Sequence, residues 1–485
     1  MRQRKYFEYA GLTALLTTFF GFFAVNVADI DFWWHIAAGR NMLEEGIIPS
    51  VDPFGVYDAA NVWGQTVLKS QWLGQVMLYA VYHWLDINGI IFFRAGILTL
   101  CIAIVYLRCR LAATNSPFAF VITALTGLAI LHHTGERPQL FSFLYLSLIF
   151  LLLDAFARSK KQWLMYCIPL VMLLWSNTHG GSILGIAALW LYSAGYVLEN
   201  RRVSQDLKTT STKLLLTIAA ISTVTLLLTP NGLITLKYIF FLQNSPLRER
   251  VSEYASPWSL WPITMYYWVF ICVALVSLPG LCKRSYQKQV AVVVALGVIS
   301  LTGYRYIPLF VLVAAPYVAA SLSRMFSSVK PSHLVNLLVL VISLAFLGYG
   351  FKQDRVFQLG VQDKQFPAGA VAFIKSHNLS GKMFNTMNWG GYLIWQLSGT
   401  VTPFIDGRML APARVVPYTH ILWITPDGQR FFEQAGFDLA LIPHANAFTR
   451  ERYPVINYLL NHPDWQVVYQ DTAGYLFIRR DNPPM

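Results

Sequence analysis

About eleven apolar stretches of near-membrane length, separated by short polar links, leave this chain few folds to choose from. A run of about 20 predominantly apolar residues crosses a bilayer as a helix, because inside hydrocarbon each backbone N–H and C=O needs a partner within the segment. The 485 residues are 55% hydrophobic, 15% aromatic and only 13% charged. With a mean hydropathy of +0.47, that composition excludes a soluble enzyme and gives an α-helical polytopic membrane protein. The net charge of +13 would suggest nucleic acid in a soluble chain. Here Lys and Arg gather in short clusters between apolar runs, which is the positive-inside pattern, so orientation explains the charge and no nucleic acid is implied.

Arg2, Arg4 and Lys5 put the N-terminus in the cytoplasm, and the first run, residues 10–27, is a retained span with no small-residue cleavage site after it. The other spans are predicted at 90–107, 117–132, 140–156, 163–175, 183–198, 214–229, 263–281, 290–302, 307–322 and 334–349. Residues 71–85 are short and carry Gln75 and His83. Counting them as a span would invert the later basic clusters, so they are taken as a juxtamembrane or re-entrant helix. Residues 1–351 thus form a multi-span domain with a first outer loop at about 28–88. From 352 to 485 short apolar segments alternate with helical ones, the pattern of a small α/β domain, and the odd span count puts it outside the cytoplasm. The five Cys lie in or beside apolar runs, so no disulfide framework is expected.

This topology collects polar residues on the outer face: Asp29, Asp31, His35, Arg40, Glu136, Arg137, Asn177, His179, Glu253 and Arg305. An acid at a membrane edge is a functional-site hypothesis by default. Asp29 and Asp31 form an Asp-x-Asp pair that suits a general base or a divalent cation such as Mg²⁺ or Mn²⁺. Alternatively, Asp31 only caps an amphipathic interfacial helix starting at Phe32, with Trp33 and Trp34 as interface anchors. Arg137 and Arg305 suit a phosphate, or else snorkel to lipid headgroups. His179, flanked by Asn177 and two glycines, reads as a site residue or as a hydrogen-bonded structural histidine. Glu253 reads as a second acid or as a salt-bridge partner of Arg248 or Arg250. Asn388–Tyr392 and Phe404–Arg408 read as turn motifs at strand ends that face the membrane site or bind an acceptor, or else as tight turns only, with Asp406 pairing locally with Arg408.

Asp31-Phe32-Trp33-Trp34-His35 through Gly39-Arg40 resembles a string found in bacterial membrane proteins of the GT-C glycosyltransferase superfamily. The same group shares Arg137-Pro138-Gln139, Asn177-Thr178-His179-Gly180, a Trp-Gly-Gly-Tyr element (Trp389–Tyr392) and Asp406-Gly407-Arg408. That superfamily includes protein O-mannosyltransferases and lipid A aminoarabinose transferases. The Trp-Trp-Asp motif of oligosaccharyltransferases is missing, and only Glu136 stands near their second acidic motif. The resemblance implies a GT-C-like core in a bacterial inner membrane and transfer of a sugar from a polyprenyl-phosphate-linked donor to a glycan, lipid or protein acceptor outside the cytoplasm. It makes Asp31, less strongly Asp29, the first-loop carboxylate, and Arg137 and Arg305 ligands of the donor phosphate. Two alternatives stand beside it. One is a non-catalytic scaffold or lipid-binding partner in envelope assembly. The other is a transporter or flippase, which requires paired polar residues at mid-membrane depth.

Overall fold

The structure is a computed structural model that describes residues 2–57, 62–112, 114–200, 206–235, 252–281, 287–328, 333–362, 365–446 and 450–480. Two of the basic clusters between apolar runs, Arg201-Arg202 and Lys283-Arg284, lie outside the described residues, as do Arg248 and Arg250. Among the described residues six helices are long and apolar enough to cross a membrane: Trp72–Leu111, Gln139–Ser159, Ser182–Glu199, Ser211–Leu228, Tyr304–Met325 and His333–Lys352. Four shorter apolar helices, Ser116–Ala129, Trp163–Thr178, Met265–Gly280 and Lys288–Leu301, accompany them.

The chain divides into two compact units. The first holds residues 1–26, 87–134 and 138–359; the second holds 27–86, 135–137 and 360–485. The sequence boundary at 351/352 left the first outer loop with the spans, whereas residues 27–86 pack with the C-terminal region. The cause is a shared core, in which Ala37, Val56, Tyr57 and Leu68 of the loop bury against Ile394 and Leu410.

In the first unit Ile307–Met325 is the central helix, buried at every residue from Ile307 to Ser323. A helix that is apolar all round belongs inside a bundle, which is where this one lies. Arg108 does not sit in a solvated basic cluster. It is fully buried, donates to Asp154 Oδ2 at 2.8 Å and to Leu312 O at 2.8 Å, while the Tyr317 hydroxyl donates to Asp154 Oδ1. Arg94, also buried, donates to the carbonyls of Phe23 and Val25, at and just past the end of helix Arg2–Phe23 where carbonyls lack helical partners, and to that of Thr134. Residues 72–85 belong to the 40-residue helix Trp72–Leu111, which is interrupted at Asp86 with φ 56°. With ψ −164° Asp86 lies outside the left-handed helical basin, in a backbone region that favours glycine, so the segment is two helices meeting at a kink.

The second unit contains a five-stranded sheet: β1 Gly381–Asn385, β2 Val401–Pro403, β3 Leu439–Pro443, β4 Trp465–Gln470 and β5 Gly474–Arg479, in the order β2-β1-β3-β5-β4. β1 is parallel to both β2 and β3, and β5 runs antiparallel to β3 and β4. Central β3 is the continuous apolar run Leu-Ala-Leu-Ile, as a strand covered on both faces must be. Parallel pairing of β1 with β2 needs a crossover, and Met387–Leu397 supplies it as a helix. Asn388–Tyr392 is therefore helical, correcting the strand-end turn expected from its two glycines.

Helix Phe32–Glu45 corrects a second expectation. It buries Phe32 through Gly39 and Met42 instead of lying amphipathically along an interface. Trp33, at 4% exposure, packs edge-on to Phe366 and Tyr392 with centroids 5.5 and 5.0 Å away. Trp34 is buried too, so neither indole is an interface anchor. The small residues Ala37, Ala38 and Gly39 allow this burial. A Cβ on Gly39 would overlap the Gln75 carbonyl and lie 2.8 Å from Tyr79 Cβ.

Candidate functional site

The second unit brings four of the sequence-derived candidates together. Asp31 stands at the N-cap position of Phe32–Glu45, but with helical φ/ψ (−87°, −17°) and no side-chain capping bond. An N-cap carboxylate reaches the first amides from an extended conformation, which Asp31 lacks. Its Oδ2 instead lies 3.0 Å from Arg137 Nη1. Arg137 Nε donates to Asp29 Oδ2 at 2.5 Å, so one guanidinium bridges both acids. Asp29 Oδ1 accepts from the Asp31 amide at 2.9 Å, an Asx-type turn that fixes the spacing of the pair. Buried Glu136 accepts from the Asp29 amide at 3.3 Å through Oε2. Two carboxylates share the one guanidinium, and Glu136 holds the Asp29 backbone behind them. Arg137 is 24% exposed and Asp31 18%, so the bridge faces solvent on one side.

His35 and Arg40 turn elsewhere. His35 is buried, with Nδ1 3.4 Å from Gln75 Nε2 and its ring against Trp34, and Arg40 lies over the Trp395 ring at 4.4 Å. Both therefore take part in packing.

The first unit carries the other candidates. Arg305 sits in the turn Tyr304–Tyr306 with its guanidinium over Tyr254 at 4.8 Å and Nη1 3.8 Å from Glu253 Oε2. Asn177 donates to the carbonyls of Leu173 and Leu228, a tie between segments. His179 Nδ1 accepts from the Gly181 amide at 3.1 Å and is 2.7 Å from Ser142 Oγ, which itself accepts from the Trp175 indole at 2.7 Å. Because an amide can only donate, Nδ1 carries no proton, and neutral His179 holds its proton on Nε2. Burial, with the Arg305 charge adding to it, pushes the His179 pKa down to about 3. His179 is thus a fixed neutral donor at the end of helix Trp163–Thr178.

Asp29 and Asp31 also carried the expectation of a Mg²⁺ or Mn²⁺ site. The residues as arranged do not fit one. Asp29 Oδ2 and Asp31 Oδ2 both face the Arg137 guanidinium, so a divalent cation shared by the pair there would meet a like charge. Among the described residues no three His, Cys, Asp or Glu side chains are grouped to hold a metal.

Sequence reasoning missed Asp52. It forms a buried ion cluster with Arg408 and Asp406, with Arg408 Nη1 2.5 Å from Asp52 Oδ1 and Nη2 2.7 Å from Asp406 Oδ2. Asp52-Pro53 reads locally as a loop breaker, and Arg408 lies 356 residues away.

No family model and no curated protein matches the sequence. Solved structures do match. The archaeal oligosaccharyltransferase AglB from Archaeoglobus fulgidus, in complex with an inhibitory peptide and a dolichol-phosphate, has TM-score 0.61 and 12% identity over 90% of this chain and 69% of that one. The arabinofuranosyltransferase AftD from Mycobacteria gives TM-score 0.59 and 15% identity, covering 98% of this chain and 40% of that one. ArnT from Cupriavidus metallidurans in the apo state gives TM-score 0.57 and 12% identity over 97% and 96%. These are glycosyltransferases of the GT-C fold, and this chain shares that fold.

Proposed function

We propose that the chain is a GT-C-type membrane glycosyltransferase that moves a sugar from a polyprenyl-phosphate-linked donor to a hydroxyl-bearing acceptor outside the cytoplasm. The fold supports the enzyme class, and the Asp29–Arg137–Asp31 bridge is the observation that carries the site assignment. In this reading Asp31 is the base. The acceptor O–H gives its proton to the Asp31 carboxylate, the oxygen bonds to the anomeric carbon, and the bond from that carbon to the phosphate oxygen breaks. The polyprenyl phosphate leaves with the electron pair. A base must be ionised before it acts, and a neighbouring guanidinium favours the ionised form. Arg137, which bridges Asp29 and Asp31, also stands beside the proposed base as a cation where charge develops on the leaving phosphate.

The solved relative with bound dolichol-phosphate supports a lipid-phosphate donor by analogy of fold. A bacterial inner-membrane location with residues 352–485 periplasmic follows from the charge pattern. About eleven crossings result if the shorter apolar helices and Arg2–Phe23 are all counted as spans.

The test is transfer by the purified full chain in liposomes, supplied with a panel of polyprenyl-phosphate hexoses and pentoses and mixed envelope acceptors. Asp31→Asn keeps shape and hydrogen-bonding capacity but removes the base, and should lower transfer by a factor of about 10² or more. Undiminished transfer in that variant sinks the assignment. EDTA should leave the rate unchanged, since the acid pair already holds a cation. A non-catalytic scaffold is the second reading, favoured by the same observation, because Arg137 engages both acids. It predicts binding of the polyprenyl-phosphate sugar without turnover by the wild-type chain.

A further inference from the structure

The turn Phe404–Arg408 is held far more firmly than a turn needs for its own sake. Asn385 Oδ1 accepts from the Phe404 amide at 2.8 Å, and its Nδ2 donates to Ile405 O at 2.8 Å. The Asp406 amide donates to the Tyr57 hydroxyl at 3.1 Å. Arg408 spreads its fork over two carboxylates. Nε and Nη2 reach Asp406 at 3.0 and 2.7 Å, and Nη1 and Nη2 reach Asp52 at 2.5 and 3.1 Å. Asp52 in turn accepts from the amides of Phe54, Val56 and Tyr57. All three charged side chains are at most 2% exposed. Burying such a cluster is weak evidence for stability, because desolvation costs several kcal/mol per ion; its best-attested use is to specify one conformation.

What this conformation specifies is the position of Gly407. A Cβ on Gly407 would fall inside the van der Waals radius of Asp31 Oδ1 and lie 3.3 Å from Trp34 Nε1. The opposite oxygen, Oδ2, is the one paired with Arg137. The Asp31 carboxylate is therefore bounded at both oxygens, by a cation on one side and by bare backbone on the other. A Cβ on Gly390 would in turn lie 2.7 Å from Asp406 Cα, so the crossover helix packs directly on the same turn.

We propose that the Asp52–Arg408–Asp406 cluster is a positioning device for Asp31, which presses the Gly407 backbone against the carboxylate and fixes the orientation in which it meets Arg137. The proposal rests on the reading of Asp31 as the base, and gives Arg408 and Gly407 positioning roles without contact to substrate. It also supplies a physical reason for a glycine inside Asp-Gly-Arg. A reacting group misplaced by about 1 Å can cost about 10²-fold in rate, which is the scale on which a methyl at Gly407 acts.

The test needs no substrate. The full chain in lipid nanodiscs is treated with a water-soluble carbodiimide and glycine ethyl ester across a pH series, and the Asp31 adduct is quantified by peptide mass spectrometry. Carbodiimide reacts with the protonated carboxyl, so displacement of Asp31 from Arg137 raises the adduct at neutral pH. Gly407→Ala should raise it about tenfold, because a carboxyl moved away from a neighbouring cation is protonated more readily. Arg408→Lys, which keeps the charge but lacks the fork, should move it in the same direction. Asp31→Glu extends the carboxylate into the Gly407 wall from the other side, and keeps the test decisive if Gly407→Ala misfolds. Asp31 labelling that matches wild type in Gly407→Ala and Arg408→Lys, with melting unchanged, overturns the proposal. That outcome would leave the base assignment standing, whereas undiminished transfer by Asp31→Asn would remove the base assignment and leave the positioning result intact.

Discussion

At the scale of the residue, Arg137 decides how the acids behave. Two carboxylates held within reach of one another repel unless a cation stands between them, and Arg137 occupies that place at 2.5 and 3.0 Å. The bridge is partly buried, with Asp29 only 5% exposed, so it is worth more than a surface pair and less than a sealed one. Arg137→Gln should destabilise the chain by about 1–2 kcal/mol at neutral pH. The sign of its pH dependence is fixed by the acids. Repulsion between Asp29 and Asp31 exists only while both are ionised, so the deficit against wild type should shrink as acid neutralises them. Thermal melting of both proteins in detergent between pH 7.5 and 3.5 checks this. A deficit that persists or widens at low pH would show that Arg137 acts through packing and not through charge.

At the scale of the element, two helix ends carry neutral histidines. His133, past the end of helix Ser116–Ala129, donates from Nε2 to Tyr304 O at 3.1 Å. Burial lowers its pKa to about 4, only partly opposed by that bond. His179 follows helix Trp163–Thr178 and is lowered to about 3. A helix C-terminus ordinarily favours a protonated histidine, so burial wins at both ends. Both folded values lie below the unfolded value of about 6.5. Between the folded and unfolded values the unfolded chain binds more protons, so their contribution is complete above about pH 6.5 and is lost as pH falls through that window. A melting series should show a loss on the order of 1 kcal/mol per histidine by pH 5. The double variant His133→Gln/His179→Gln should flatten that slope, and equal slopes in the two proteins would refute the assignment. Elements were legible in the sequence where a local period or a long apolar run decides them. Of the short apolar segments in the C-terminal region, 382–385, 439–442, 466–469 and 475–478 each fall on a strand and 401–405 does so only over 401–403, while the long apolar runs fall on helices. Elements decided by tertiary demand were not legible. Gly390-Gly391 reads as a turn by propensity, yet the parallel β1–β2 pair requires a helix there. Trp33 and Trp34 are equally at home in an interface belt and in a core, and only the packing of Phe366 and Tyr392 decides for the core. The Asp52–Arg408 pair leaves no local trace at all, since neither residue type at its position announces a partner in a distant segment.

At the scale of the whole molecule, the order of basic clusters was the argument for orientation, and it rests on residues of two kinds. Arg108 looked like part of a cytoplasmic cluster but is buried on Asp154, so it contributes nothing to a surface count. Arg158, Lys160 and Lys161 lie at and just beyond the end of helix Gln139–Ser159, and all three are exposed. The proposed topology therefore depends on Arg158, Lys160 and Lys161 more than on the loop after residue 107. Its consequence is testable on intact cells. In a background with all five cysteines replaced, Lys161→Cys should resist a membrane-impermeant maleimide until the inner membrane is opened. Ser398→Cys, exposed beyond the crossover helix, should react as soon as the outer barrier is permeabilised. Both side chains stand in water in the folded chain, so a difference in reactivity reports sidedness and not burial. Labelling of Lys161→Cys from outside, with Ser398→Cys protected, would invert the chain and place Asp31 in the cytoplasm. Nucleotide-activated sugars would then become the available donors and the polyprenyl-phosphate reading would fall. Reaction of both from outside would instead break the odd count of crossings, and residues 71–85 would be the first segment to reconsider as a span, because they join Ile87–Leu111 at the Asp86 kink without a loop.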